Sequence, residues 1–469
     1  MTLARGVAPY DLYSDPPRAL RRGASPGRRG PVRAACTAPE ERTPMTRLVI
    51  LGAGTAGTIM ANRLHAHFRR RIAAGDVGLT VVDQDDLHVY QPGLLFVPFG
   101  VYRPDEIVRP RHAQLPDAVE YVQAAVDRVE AGANQVILAG GRVLPYDLLI
   151  VASGARIAPE ETEGLTGAGW RERTHEFYSL EGATALARAL ERFDGGRLVL
   201  NVVEMPIKCP VAPLEFAFLA DWYLTERGIR DRATITYATP LDGAFTKPVA
   251  AAALSRLLAE KGIELVTEFN TASVDGEGGR LVSWDEREVP FDLLVAIPLH
   301  RGAAFVGRSP ELGDDMDFVR TDPHTLQGRV APNVFALGDA TDLPASKVGS
   351  VAHFEAQVLT ENVVSFLDGR PLAARFDGHA NCFIETGHHR ALLIDFNYET
   401  EPLPGAFPFA FGPMRLLEES RINHWAKIAF QWVYWHVLLA GKDVPGIPAA
   451  MRLVGKELPT PEPRVPQPT

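Results

Sequence analysis

Two cysteines stand where redox chemistry could be done. Cys209 lies in Lys208-Cys209-Pro210-Val211-Ala212-Pro213, soon after the strand-like run Arg197 to Val203, and Cys382 lies in Asn381-Cys382-Phe383-Ile384-Glu385. A thiolate attacks a disulfide sulfur and expels the other sulfur as a thiolate, so a pair of this kind can exchange with a sulfur nucleophile. Free cysteine is also a common small hydrophobe of protein cores, and two in a chain of 469 residues are unremarkable by number. Position raises the chemical reading, because Cys209 sits where a second phosphate-binding loop would be expected. The third cysteine, Cys36, falls in an N-terminal stretch of different composition and reads as an idle thiol.

The elements that must position these residues begin with a glycine loop. Arg47 to Gly52 is a short apolar strand, Gly52-Ala53-Gly54-Thr55-Ala56-Gly57 a turn, Thr58 to Phe68 a helical pattern, and Leu79 to Val82 a second strand ending at Asp83. Strand, tight turn, helix, strand and terminal acid is the order of a dinucleotide-binding unit. Gly52 permits the turn, Gly54 lets the backbone approach a pyrophosphate, and Gly57, next to Ala56, lets the helix pack on the strand. Asp83 is the expected acceptor for ribose hydroxyls. Two more apolar strands end in small residues, Tyr146 to Ala155 through Ser153-Gly154, and Val334 to Asp339 through Gly338-Asp339.

Between them a second alternation of strands and helices runs through Arg197 to Val203, Leu214 to Glu226, Ala233 to Ala238, Val249 to Lys261 and Glu264 to Glu268, which predicts a parallel sheet with crossover helices. Its phosphate cradle is missing. Pro206, Pro210 and Pro213 remove backbone donors, and no glycine occurs from Leu198 through Asp221. The expected fold class is therefore α/β with two Rossmann-like domains. The predicted boundaries are a disordered extension at 1–44, a first dinucleotide domain at 45–195 completed by 316–370, a second Rossmann-like domain at 196–315, a C-terminal region at 371–456 and a disordered tail at 457–469.

Composition narrows the function classes. With 46% hydrophobic and 23% charged residues the chain is globular, and a net charge of −10 gives no reason to bind nucleic acid. Three cysteines cannot build a disulfide scaffold at this length. No apolar run reaches the roughly 18 to 20 residues that cross a bilayer. No metal-ligand set stands out, and the sequence allows a homo-oligomer without fixing the oligomeric state.

The order of the glycine loop, Val89-Tyr90-Gln91-Pro92-Gly93-Leu94, the Cys209 motif, Gly338-Asp339, Lys347-Val348-Gly349 and the Cys382 motif resembles the sulfide:quinone oxidoreductases, which share the glutathione-reductase-like fold with flavocytochrome c sulfide dehydrogenases and type II NADH dehydrogenases. The resemblance implies FAD held by Gly52, Gly54, Ala56, Gly57, Asp83, Ser153, Gly154, Gly338 and Asp339, with Lys347 near the flavin pyrimidine edge. It implies sulfide as donor and quinone as acceptor. It also implies a redox pair in which Cys382 is nearer the flavin and Cys209 carries the growing sulfur chain. Glu176-Phe177-Tyr178-Ser179-Leu180 stands where some members carry a third cysteine, so non-covalent FAD is expected. Glu215 matches a family carboxylate, and either proton relay or a structural place near a helix N-terminus suits it. Lys208 is the expected cation beside Cys209, unless it faces water.

The last segment supplies an expected way out for electrons. Trp425, Ile428, Ala429, Trp432, Val433, His436 and Leu439 recur at helical spacing, joined by Tyr434 and Trp435, with Arg421, Lys427 and Lys442 at the margins. An amphipathic helix lying in a bilayer interface, or a packed protein interface, fits this stripe. The expected location is peripheral, on the cytoplasmic (inner) membrane. His388 and His389 are candidates for quinone contact only because they follow Cys382.

Overall fold

Leu48-Val49-Ile50-Leu51 and Leu148-Leu149-Ile150-Val151 are apolar without alternation, the composition of strands covered on both faces. In the computed structural model, which describes residues 45–458, they are neighbours in one parallel sheet. The N-terminal extension with Cys36, and all but the first two residues of the expected tail, lie outside the described residues. The first sheet runs in the order Val334–Ala336, Leu148–Val151, Thr46–Leu51, Val77–Asp83, Glu120–Gln123. Every pairing within it is parallel. The helix Thr55–Ala73 makes the crossover from the first strand to the next.

A second five-stranded parallel sheet has the order Thr174–His175, Leu293–Ile297, Gly196–Val202, Ala233–Ala238, Ile263–Val266. Its crossovers are the helices Ala212–Glu226, called the cysteine helix below, and Pro248–Glu260. The cysteine helix is apolar nearly all round and is buried over most of its length, because it lies between this sheet and the C-terminal region. The α/β architecture with two Rossmann-like sheets is as the sequence predicts.

The helix Gly349–Leu367, the closing helix, packs on the helix Thr55–Ala73. A third sheet follows, in the order Ala380–Gly387, Arg390–Phe396, Met414–Leu416, Gly405–Phe407. The C-terminal helix Arg421–Val433 lies across it and continues as a π turn over Tyr434–Leu438.

That helix corrects the sequence reading of a single aromatic stripe. Trp425 (62% exposed), Trp432 (63%) and Ile422 (51%) do face outward, but Tyr434, Trp435 and Leu439 are buried. The register changes at the π turn, which turns the later aromatics inward onto His88 and Tyr90. Lys427, expected at a wet margin, keeps only 10% of its side chain exposed. No described helix is long and apolar enough to cross a membrane.

Candidate active site

The glycine loop has the close contacts its sequence requires. Gly52 has φ +106°, and a Cβ there would lie 2.4 Å from the Ala152 carbonyl oxygen; a Cβ on Gly57 would lie 1.8 Å from the Gly52 oxygen. Both glycines therefore permit backbone contacts that no side chain allows. Gly54 differs, for its Cβ would meet only the Arg111 guanidinium, at 3.9 Å, and the space beside it is open. Gly54 is the N-cap of its helix and supplies no side-chain cap, leaving first-turn N–H groups free to face an anion. Ala56 packs beside Gly338, whose own Cβ would come within 3.0 Å of it.

Asp83 stands at the end of its strand, as expected, and its carboxylate accepts from the N–H groups of Ala53 at 2.7 Å and Gln84 at 2.8 Å. Arg111 pairs with it at 3.2 Å. Burial raises the Asp83 pKa against the pull of Arg111. The acid thus braces the glycine loop directly, a role the sequence reading did not include.

Next to the glycine loop, Ser153 Oγ is buried without a hydrogen-bond partner, and Gly154 at φ +69° has open space beside it. Buried polar atoms are normally satisfied, so an orphan hydroxyl beside open space marks a place for a polar ligand atom. Gly338 donates its N–H to Glu355 Oε2 at 2.5 Å, with Glu355 pushed by burial up to about 8. Asp339 is enclosed with Lys347 and Lys208, and burial raises its pKa against both cations. Lys347 donates to the carbonyls of Asp339 (3.2 Å) and Thr341 (2.6 Å). Taken together, the open side of Gly54, the orphan Ser153 and the uncapped helix N-termini at Thr55 and Gly349 fit an extended dinucleotide with a central diphosphate.

Both cysteine segments are tied to the start of the closing helix. Cys209 donates its N–H to the Lys347 carbonyl at 2.7 Å, and Lys208 forms a bridge to the same residue. On the other segment, the Asn381 carbonyl accepts from Ser350 Oγ at 2.8 Å. Residues 209 and 382, far apart in sequence, are thereby anchored within four residues of one helix start. Cys209 has φ +45°, the left-handed region that costs a non-glycine residue roughly 1–2 kcal/mol. Three bonds hold it there: its N–H to Lys347, its carbonyl accepting from Ala212 N–H at 2.8 Å, and the Tyr178 hydroxyl donating to that carbonyl at 3.4 Å. Strain retained at one residue by surrounding bonds is a common mark of a functional position.

Both cysteines are free thiols. Burial pushes Cys209 up to about 12, with Glu215 adding to the rise and Lys427 opposing it. Burial, then the neighbouring Cys209 and Glu215, raises Cys382 well above its ordinary range. The two sulfurs therefore sense each other and share one carboxylate and one ammonium group. A thiolate at either position is costly without help, and the cation at hand is Lys427.

This corrects the expectation for Lys208. Its buried ammonium is lowered by desolvation and interacts with Asp339 and Glu176, not with the Cys209 sulfur. Lys427 was missed because its sequence context is an amphipathic stripe, where a lysine reads as a solvated margin. The structure lays that stretch of helix over the cysteine helix and strand Ala380–Gly387, where Lys427 forms a very short ion pair with Glu215 and donates to the Phe383 carbonyl at 3.1 Å. Burial alone would lower the ammonium pKa, but Glu215 and Glu385 outweigh it and hold Lys427 above its ordinary value. Glu215 also accepts the Glu385 N–H at 2.7 Å. Full burial and an ion pair, more than the helix terminus, define its setting. His388 and His389 form the exposed hairpin turn, both at positive φ.

A family model described as pyridine nucleotide-disulphide oxidoreductase matches residues 46–203. The mitochondrial sulfide:quinone oxidoreductase of Mus musculus is 26% identical over 416 residues, covering 87% of this chain and 88% of the relative. That of Dictyostelium discoideum is 25% identical, with 85% and 87% covered. The chain is a homologue of the sulfide:quinone oxidoreductases. It is an oxidoreductase, and its fold is shared with the solved sulfide:quinone oxidoreductase of Aquifex aeolicus at TM-score 0.70 and 18% identity, covering 85% of this chain and 92% of that one.

Proposed function

We propose that this homologue oxidises sulfide to sulfane sulfur through Cys209 and Cys382, uses non-covalent FAD, and passes the electrons to quinone at a membrane surface. The observation that carries the reading is the convergence of the two cysteine segments on the residues at the start of the closing helix, Lys347 just before it and Ser350 in its first turn, with Glu215 and Lys427 acting on both sulfurs. FAD, when bound, supplies the two-electron acceptor that neither thiols nor ion pairs provide. Gly52, Gly54, Ala56, Gly57, Asp83, Ser153, Gly154, Gly338, Asp339 and Lys347 would hold it.

The protein's own part is thiol chemistry. With the cysteines joined, hydrosulfide attacks the Cys209 sulfur, the S–S bond breaks, a persulfide forms on Cys209 and Cys382 leaves as a thiolate. Enclosure destabilises that thiolate, which favours handing its electron pair onward, while the Lys427 cation keeps it accessible. Glu215, next to both sulfurs, is placed to hold the persulfide proton.

The outward aromatics Trp425, Trp432 and Ile422 suit contact with a lipid interface, peripheral to the cytoplasmic (inner) membrane. A nicotinamide donor is disfavoured by Pro206, Pro210 and Pro213 in the second Rossmann loop. The test is anaerobic mixing of the yellow protein with sulfide and, separately, with NADH. Bleaching by sulfide alone is expected; bleaching by NADH alone would overturn the reading, and bleaching without quinone turnover would reduce the protein to a thiol sensor.

A further inference from the structure

Resting on that reading of FAD as the electron acceptor, the site holds a positive charge that no residue of the chain pairs. Lys208, one residue before Cys209, is 8% exposed, yet among the described residues its ammonium takes no hydrogen bond and feels Asp339 and Glu176 only through space. Glu176 is already committed. Its carboxylate pairs with Arg171 at 3.0 Å and accepts the Ser179 N–H at 3.0 Å.

Lys347 is the second cation beside it. Lys208 and Lys347 form a parallel bridge, and residues paired in this way turn their side chains to the same face. The Lys347 ammonium donates to the carbonyls of Asp339 and Thr341 and lies 4.1 Å from the centroid of the Phe318 ring, with no carboxylate within ion-pair distance among the described residues. Asp339 is the acid that both lysines face, and it follows Gly338, which packs on Ala56 of the glycine loop. Desolvation lowers both ammonium groups, and Asp339 opposes the fall in each. His300 is the other titratable group that senses both. Its Nδ1 lies 2.9 Å from the Pro298 carbonyl, which can only accept, so Nδ1 carries the proton; burial and the two ammonium groups push the ring down to about 3. A neutral His300 neither adds to the charge nor offsets it. Two cations thus face one acid, and a buried charge is costly until an opposite charge meets it.

We propose that Lys208 is a cofactor-binding residue that, with Lys347, seats the negative charge which two-electron reduction places on FAD. Reduction adds two electrons and one proton to the neutral ring system, so the reduced ring carries one negative charge, equal and opposite to the surplus. In the proposed reaction sulfide supplies those electrons. Lys208 therefore binds reduced FAD more tightly than oxidised FAD and raises the potential at which the flavin accepts electrons.

The test uses full-length FAD-loaded protein as the parent and as Lys208→Gln, Lys208→Met and Lys208→Arg. The midpoint potential of the bound flavin is read by a dye-equilibrated dithionite titration, which needs neither sulfide nor quinone, and the affinity for oxidised FAD by fluorescence titration of the apoprotein. Lys208→Gln and Lys208→Met are expected to lose a factor of ten or more in preference for the reduced form, a fall of at least about 30 mV for a two-electron couple. Lys208→Arg is expected to stay close to the parent, and the affinity for oxidised FAD to change less than the preference does. A parental potential in the two uncharged variants would overturn the proposal. So would an equal fall in Lys208→Arg, since the effect would then follow side-chain shape and not charge. Should Lys208→Met not fold, the difference between Lys208→Gln and Lys208→Arg decides. A parent whose flavin sulfide does not bleach would sink the proposed function while leaving a Lys208-dependent potential intact, so the two failures are distinguishable.

Discussion

The two Rossmann sheets make the same strand-to-helix crossing with opposite chemistry. After Leu51 the first uses Gly52, Gly54 and Gly57 to press backbone on backbone while leaving space open beside Gly54. After Val202 the second has no glycine before its helix, three prolines, and Cys209 held at φ +45° by bonds to neighbouring segments. One crossing presents N–H donors to an anion; the other has exchanged donors for a sulfur. A shared fold therefore does not carry a shared ligand, and the turn decides which chemistry each half performs.

The sharpest way to break this comparison is at the sulfurs. Cys209→Ser and Cys382→Ser should each lower sulfide-dependent bleaching on the order of a thousandfold or more, with FAD still bound as seen in the absorbance of the purified variants. Retained bleaching in both would remove the contrast between the crossings. Next in size, Lys427→Met strands Glu215 as an uncompensated buried charge and should cost about 3–5 kcal/mol in denaturant unfolding. Lys427→Met with Glu215→Leu should recover much of that stability. Iodoacetamide alkylation of Cys209 in the double variant, followed over pH, then reports the thiolate in the absence of both charges.

On the glycine side, Gly57→Ala forces a Cβ against the Gly52 oxygen and should release FAD on gel filtration, at a cost of about 1–3 kcal/mol in stability. The smallest effect concerns the brace behind Gly338. Glu355 is raised to about 8 by burial, so the folded state holds this proton more tightly than the unfolded chain. Its favourable contribution is complete below the ordinary glutamate value and is lost as pH rises toward 8. Glu355→Gln should therefore flatten the decline of the unfolding midpoint between roughly pH 4.5 and 8; an unchanged slope would remove Glu355 from this role.

Much of the first crossing was legible because local rules write it. Glycines at required turns, an apolar strand and a terminal acid occur within some forty residues, and each has a steric reason that needs no distant partner. The cysteine motifs were legible as positions and as a family resemblance. Lys427 was not, since a lysine in an aromatic helical stripe reads as solvated until something covers it. The contact between the Glu385 carboxylate and His424 Nδ1, 3.0 Å apart, was hidden because the two lie on different elements with no motif between them. Tyr434 was read as part of an outer stripe, yet it reaches back 2.7 Å to both Thr55 Oγ1 and His88 Nε2 at the glycine loop. Because His88 Nδ1 must donate to the Ala53 carbonyl at 3.2 Å and the ring is kept neutral by burial, Nε2 accepts from the Tyr434 hydroxyl and Thr55 donates to it.

Sequence alone determined the α/β class, the order of strands and helices, the dinucleotide loop and the two cysteines, because backbone sterics and burial periodicity act over short stretches of chain. Tertiary structure decided which charges share the cysteines' enclosure, which lysine serves them and which aromatics stay outside. Those outcomes depend on desolvation and on hydrogen-bond partners hundreds of residues away, and only packing brings them together.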